Sequence, residues 1–283
     1  MAASDKVTTE QQRHWSADAT ELYLRDPDRI EAINGPFGDA MLEAAGLRPG
    51  ERVLDVGCGC GATTLEAARR VTPEGSALGV DIAAPLLEVA RQRAVAAGID
   101  NIEFVHDDAQ LHPFPDAVFD VVISRFGVMF FDDAEAAFTN LGRAVRSDGR
   151  LVVVCPSDPL QSEWVTIAFN AAAPHVGIPD LGPPGAPGPF AFADDDRLKR
   201  TIRAGGFRDV VVEAISRPIR IGRDVDEVAA FITSLPEGRQ LLADKPDDTV
   251  AAVVDALKAG FTPHAGPDGV IVNDTAWIAS AHR

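Results

Sequence analysis

The run Val53-Leu54-Asp55-Val56-Gly57-Cys58-Gly59-Cys60-Gly61 has the residue types of a ligand-binding turn. An apolar stretch that reads as a strand gives way to glycines at alternate positions, just before a helical stretch that begins near Thr63. Without Cβ atoms at Gly57, Gly59 and Gly61, a flat ligand can approach the backbone at the carboxyl end of the strand. The turn alone is ambiguous, since dinucleotide enzymes use a similar device to place a pyrophosphate on a helix N-terminus. Asp55 helps to decide: a carboxylate two residues before the first glycine opposes a pyrophosphate and suits a ligand carrying sulfonium and ammonium groups. Asp81, twenty residues after Gly61, can accept both hydroxyls of a ribose, with Ile82 flanking an adenine. In Asp107-Asp108-Ala109 a carboxylate can accept a hydrogen bond from the adenine amine. Each aspartate alone could equally be a helix N-cap or a turn residue. Three acidic strand ends together compose an adenosine-shaped site.

The elements that must hold these residues are legible as an alternation. Short apolar runs at 52–56, 77–80, 118–123 and 151–155, with a weaker one at 102–106, are separated by helical stretches at 62–71, 85–97 and 133–145. Continuous apolar runs fit strands buried on both faces of a parallel sheet, and the βα repeat predicts a doubly wound α/β fold. Beyond Cys155 the reading is a helix over 160–173, a Pro- and Gly-rich lid over 174–189, and a helix over 196–204 closed by Gly205 and Gly206. A strand at 210–215, helices at 225–234 and 248–259, and a terminal strand at 270–281 complete the chain. We divide it as one domain with an N-terminal helical segment (1–49), a binding core (50–157), a helix and lid (158–195), and a remainder (196–283) holding a helical insertion at 218–268.

These blocks resemble the class I S-adenosylmethionine (SAM)-dependent methyltransferases, in particular the group typified by the ubiquinone and menaquinone biosynthesis methyltransferases. The resemblance rests on residues 53–61, Val80-Asp81-Ile82, Asp108-Ala109 followed by Pro113-Phe114-Pro115, and residues 119–131 with 146–154, and covers most of residues 40–155. It implies SAM as cofactor and S-adenosylhomocysteine (SAH) as product. Asp55, Gly57, Cys58, Gly59 and Gly61 would then hold the methionine moiety and Asp81 the ribose, with Ile82 beside it. Asp108 and Ala109 would meet the adenine, and Ser124 and Arg125 would line the cofactor. It also implies a seven-stranded, mostly parallel, Rossmann-like sheet with N-terminal helices and an antiparallel last strand, for which residues 270–281 are placed. The long helical stretch before that strand departs from the family's usual short hairpin, and is expected to be an added cap.

Methyl transfer from a sulfonium is an in-line displacement, so alignment and exclusion of water supply much of the acceleration. A general base is needed only where the acceptor must lose a proton. Segments beyond the strand ends are expected to wall the acceptor: Phe126, Met129, Phe130, Trp164, Phe190 and Phe192, with Trp15 from the N-terminal segment. They suggest a fairly apolar small molecule, although any one of them could be a simple packing aromatic. His175 at the start of the lid and His14 beside Trp15 are the candidate bases. The signature of amine methylation, Asn or Asp followed by two prolines and an aromatic, is replaced by Ser124-Arg125-Phe126-Gly127, and no acidic pair for metal-assisted catechol methylation follows Cys155. The reading is therefore transfer to oxygen or carbon without a metal.

The balance of 26 basic and 43 acidic residues gives a formal net charge of -17, which argues against nucleic acid as a partner. Three cysteines without metal spacing fit a reducing compartment, and no run is long and apolar enough to span a membrane. A cytoplasmic protein is expected, with a homo-oligomer admitted. Two other readings stand: a SAM-fold protein with non-methylating, cyclase-like chemistry, and an NAD(P)-dependent oxidoreductase. The latter is disfavoured by Asp55 and by the lack of a Tyr-x-x-x-Lys catalytic motif, Tyr23 being the one tyrosine.

Overall fold

The computed structural model describes residues 18–179 and 181–283. Its sheet runs in the order β3-β2-β1-β4-β5-β8-β6. Strands β1 (Arg52–Val56), β2 (Ser76–Asp81), β3 (Ile102–His106), β4 (Phe119–Arg125) and β5 (Val145–Pro156) are parallel. β6 (Arg208–Gly222) is the far edge, and β8 (Gly269–His282) lies antiparallel between β5 and β6. The two-residue β7 (Ala265–Gly266) pairs with the start of β8, outside the seven-strand path.

Consecutive residues of the central strands face opposite sides of the sheet, which is why both had to be apolar. Val53, Val121 and Val152 join one core, together with α2 (Pro27–Ala45), α3 (Ala62–Arg70), α6 (Glu163–Val176), α8 (Val225–Ser234) and α10 (Asp247–Phe261). Leu54, Val122 and Val153 join the other, with α5 (Ala134–Ala144) and α7 (Asp195–Ala204). α4 (Ala84–Ala96) covers the β2-β3 end, and α1 (Asp18–Arg25) and α9 (Pro236–Leu242) complete the described helices.

Caps explain several boundaries. Asp26 caps α2 by accepting from Arg29 N at 3.1 Å, Pro27 opens the helix, and Gly46 closes it in the left-handed conformation. The structure departs from the sequence expectations in two places that matter. α6 continues through Pro174 and His175 to Val176, so the Pro/Gly-rich stretch begins later than expected. β6 continues past Ile215 through Pro218 to Gly222, because an edge strand has a side on which a missing N–H costs no ladder bond.

Candidate functional site

The glycine turn leaves β1 with Gly57, Gly59 and Gly61 at φ of 68°, 52° and 80°. A Cβ on Gly57 would stand 2.8 Å from Gly127 Cα, so here two backbones touch and neither can carry a side chain without moving. Asp81, at the end of β2, secures the turn: its Oδ2 accepts from Gly59 N at 2.7 Å and its Oδ1 from Ala83 N at 2.8 Å. Burial raises its carboxyl above the ordinary value, and those backbone donors act against the rise.

A cleft opens over this turn. Its wall includes Gly57, Cys58, Gly59, Asp81, Ile82, Ala109 and Arg125 of the sequence-assigned residues. The other assigned residues support it from below. Asp55 is fully buried, and its Oδ2 accepts from the hydroxyls of Thr63 and Thr64, each at 2.6 Å, which fastens β1 to the first turn of α3. Its Oδ1 is buried without a hydrogen-bond partner among the described residues, and burial raises its carboxyl despite the two threonines. Ser124 is also fully buried and donates to Val56 O at 2.7 Å, while Gly61 packs close against α4. Asp108 is 3 % exposed and accepts from Gln110 N, so the carboxylate that reaches the wall at this strand end is Asp107.

Residues distant in sequence complete the cleft. Arg125 forms a two-pronged pair with Glu31 of α2, at 2.7 and 2.9 Å. Burial alone would raise the Glu31 carboxyl, but the hydrogen bonds and charge of Arg125 hold it below its ordinary value. Tyr23 of α1 and Asn34 of α2 also line the cleft, and Tyr23 is held protonated by burial above all, with Asp81 acting in the same direction. No spacing rule could have found Tyr23, Glu31 or Asn34; they arrive because α2 packs along one face of the sheet and α1 packs beside α4.

A second, larger cavity of about 300 Å³ lies beside the first. Phe126, Met129, Phe130, Trp164 and Phe190 all line it. Phe192 does not; it is 1 % exposed and stacks edge-on with Phe138 in the core beneath. Pro179, Leu181, Pro189 and Phe190 bring the Pro/Gly-rich stretch over the cavity, and Gly188 N anchors it to Met129 O at 3.0 Å. Tyr23, Ile30, Asn34, Phe126 and Phe130 line both spaces, so the two meet there. His175 lines neither. It is exposed on the last turn of α6, because the helix runs on where a loop was expected. His14 and Trp15 lie outside the described residues.

The donor set fits an adenosine joined to a cationic group: carboxylates at Asp81, Asp107 and Glu31 for hydroxyl, amine and ammonium partners, and a Cβ-free floor at the glycine turn. Residues 53–149 match the family model described as Methyltransferase domain. That stretch reads as a methyltransferase domain. The methyltransferase fold extends on both sides of that match. The nocamycin O-methyltransferase of Saccharothrix syringae is 34 % identical over 62 % of this chain and 65 % of that protein. The ubiquinone/menaquinone biosynthesis C-methyltransferase UbiE of Teredinibacter turnerae is 38 % identical over 46 % of this chain and 54 % of its own. The chain thus spans about half to two thirds of the curated relatives it matches. Among solved structures, the cyclase SpnF superposes with a TM-score of 0.56 over 99 % of both chains at 18 % identity, a likeness of fold. SAM is the cofactor of the methyltransferase family.

Proposed function

We propose that this chain transfers the methyl group of SAM to an oxygen or carbon of a small, mainly apolar acceptor. The observation that carries the reading is the shared wall: a polar cleft over the glycine turn opens, at Tyr23, Asn34, Phe126 and Phe130, into an apolar cavity. When bound, SAM supplies a methyl group activated by its sulfonium. Asp81 would hold the ribose, the β3 end with Asp107 and Ala109 the adenine, and Gly57 to Gly59 with the Arg125–Glu31 pair the methionine end. Asp55 contributes by fixing the turn and by its charge. The aromatic wall excludes water and fixes the acceptor's approach, the two conditions an in-line displacement asks of the protein. The proportion of acidic residues and the small-molecule relatives favour a small-molecule acceptor over nucleic acid.

No helix among the described residues is long and apolar enough to cross a membrane. With three free cysteines, this supports a place in the cytoplasm. We further propose that the chain works as one domain, residues 50–157 binding cofactor and the segments around them enclosing the acceptor, alone or as a homo-oligomer. Calorimetric titration with SAM and SAH tests the reading. Saturable binding of both is expected. A folded, ligand-free protein that binds neither would end it, and SAM binding without SAH formation across a broad acceptor panel would move it toward non-methylating chemistry on the same fold.

A further inference from the structure

The large cavity is apolar over most of its wall, yet its ionisable lining residues are Tyr23, Glu237 and Asp274, with no Lys, Arg or His among the described lining residues. Asp274 lies on β8, paired in register with Arg217 of β6 and two residues before Ala276, the register partner of Pro156 at the end of β5. That places it just beyond the carboxyl ends of the parallel strands, the side on which the cofactor cleft opens. Its Oδ1 accepts from Thr275 N at 2.9 Å. Ser162 and Trp164, at the start of α6, stand near the carboxylate and line the same space. The nearby charged groups are engaged elsewhere: Arg217 donates to Ser216 O, Glu163 accepts from Asn273 N at 2.5 Å, and His264 lies 3.9 Å from Glu163. Burial is the largest influence on the Asp274 carboxyl and raises it, with Ser162, Thr275 N–H and Trp164 acting against it.

A carboxylate facing an apolar space has one strong use there. It accepts from a donor on whatever enters, and repels an anion that has no cation to meet it. We propose that Asp274 is the specificity-determining contact of the acceptor cavity, selecting uncharged, mainly apolar molecules that present a hydroxyl to it and rejecting acids of the same shape. This rests on the methyltransferase reading for the neighbouring cleft, and it adds the acceptor class. Tyr23 and Asn34, in the wall shared with the cleft, face the opposite end of the bound molecule.

The probes are 2-naphthol, 2-methoxynaphthalene and 2-naphthoate, titrated by calorimetry into protein saturated with SAH. One hydrogen bond to a carboxylate makes 2-naphthol bind about tenfold tighter than its methyl ether, with the acid weakest of the three. Asp274→Leu brings naphthol and the ether to within about twofold; Asp274→Asn, which keeps the shape and an uncharged acceptor, leaves about threefold and secures the test should the leucine variant not fold. Neither variant alters SAH affinity. Naphthoate binding as tightly as naphthol, a naphthol preference that stays at about tenfold in a folded Asp274→Leu or Asp274→Asn variant, or binding of none of the probes overturns the proposal. Failure of the preliminary SAH titration is a separate result, which strikes the methyltransferase reading itself.

Discussion

The oxygens of Asp81 brace Gly59 and Ala83, and under the proposed function the same oxygens would meet a ribose. Asp81→Ala therefore removes ligand acceptors and loosens the turn together. Calorimetry should read a fall in SAM and SAH affinity of about 10- to 100-fold, the worth of one or two charge-assisted hydrogen bonds; an unchanged affinity would end the assignment. Gly57→Ala tests the turn from its other side. With φ at 68° and Gly127 Cα 2.8 Å from the new methyl, the backbone must shift, and a loss of about 1–3 kcal/mol is expected in a denaturant titration. Asp55 is the instructive residue. Its place before the glycines was legible and its charge pointed to the right ligand class, yet the side chain lies below the floor, held by Thr63 and Thr64. Sequence neighbours give a residue's position along a strand; which face it takes depends on the helix packed there.

At the scale of elements, the described residues of the Pro/Gly-rich stretch line the large apolar cavity and none of them lines the cleft over the glycine turn. Deleting residues 183–189 should therefore raise the concentration of acceptor needed for half-maximal rate severalfold, with SAH affinity held within about twofold. Equal loss of both would give the stretch a general structural role. The parallel strands and their helices were legible because a buried strand must be apolar on both faces and because glycines and aspartates punctuate the strand ends. The far edge was read too short, since Pro218 looks like a terminator until β8 is seen to pair with it. α6 was also read short at Pro174, and His175 was misplaced as a result.

Across the whole molecule, the helices between β6 and β8 are part of the main core. Val228, Val253, Leu257 and Phe261 pack in one cluster with Phe37 and Met41 of α2 and Ile123 of β4. Phe261→Ala should thus cost about 3–5 kcal/mol in the single unfolding transition of the protein, not in a separate early one. Polar contacts tie the same parts. Glu227 of α8 meets Arg29 of α2 at 2.6 Å and also Arg223, which with the Arg223 backbone donor brings its carboxyl down to about 2. A carboxyl whose folded value is depressed stabilises above its unfolded value and loses that contribution as pH falls through the folded one. Glu227→Gln should lower the melting temperature by about 2 °C at pH 7, with the difference from the parent shrinking as pH falls from about 5 toward 2. A difference independent of pH would place the effect elsewhere.

What the sequence by itself determined is the part of the protein in which function is written locally: the glycine turn, the acidic ends of β2 and β3, the βα alternation, and the apolar aromatics that come to line a common cavity. Each depends on a short segment meeting its own steric and hydrogen-bonding needs. Only the tertiary structure decided what closes the site. Tyr23, Glu31 and Asn34 reach the cleft because α2 packs along one face of the sheet with α1 beside it, and Asp274 reaches the cavity because β8 inserts antiparallel beside β5. Such contacts join residues up to the length of the chain apart, and are set by how apolar faces stack. No local pattern carries that information.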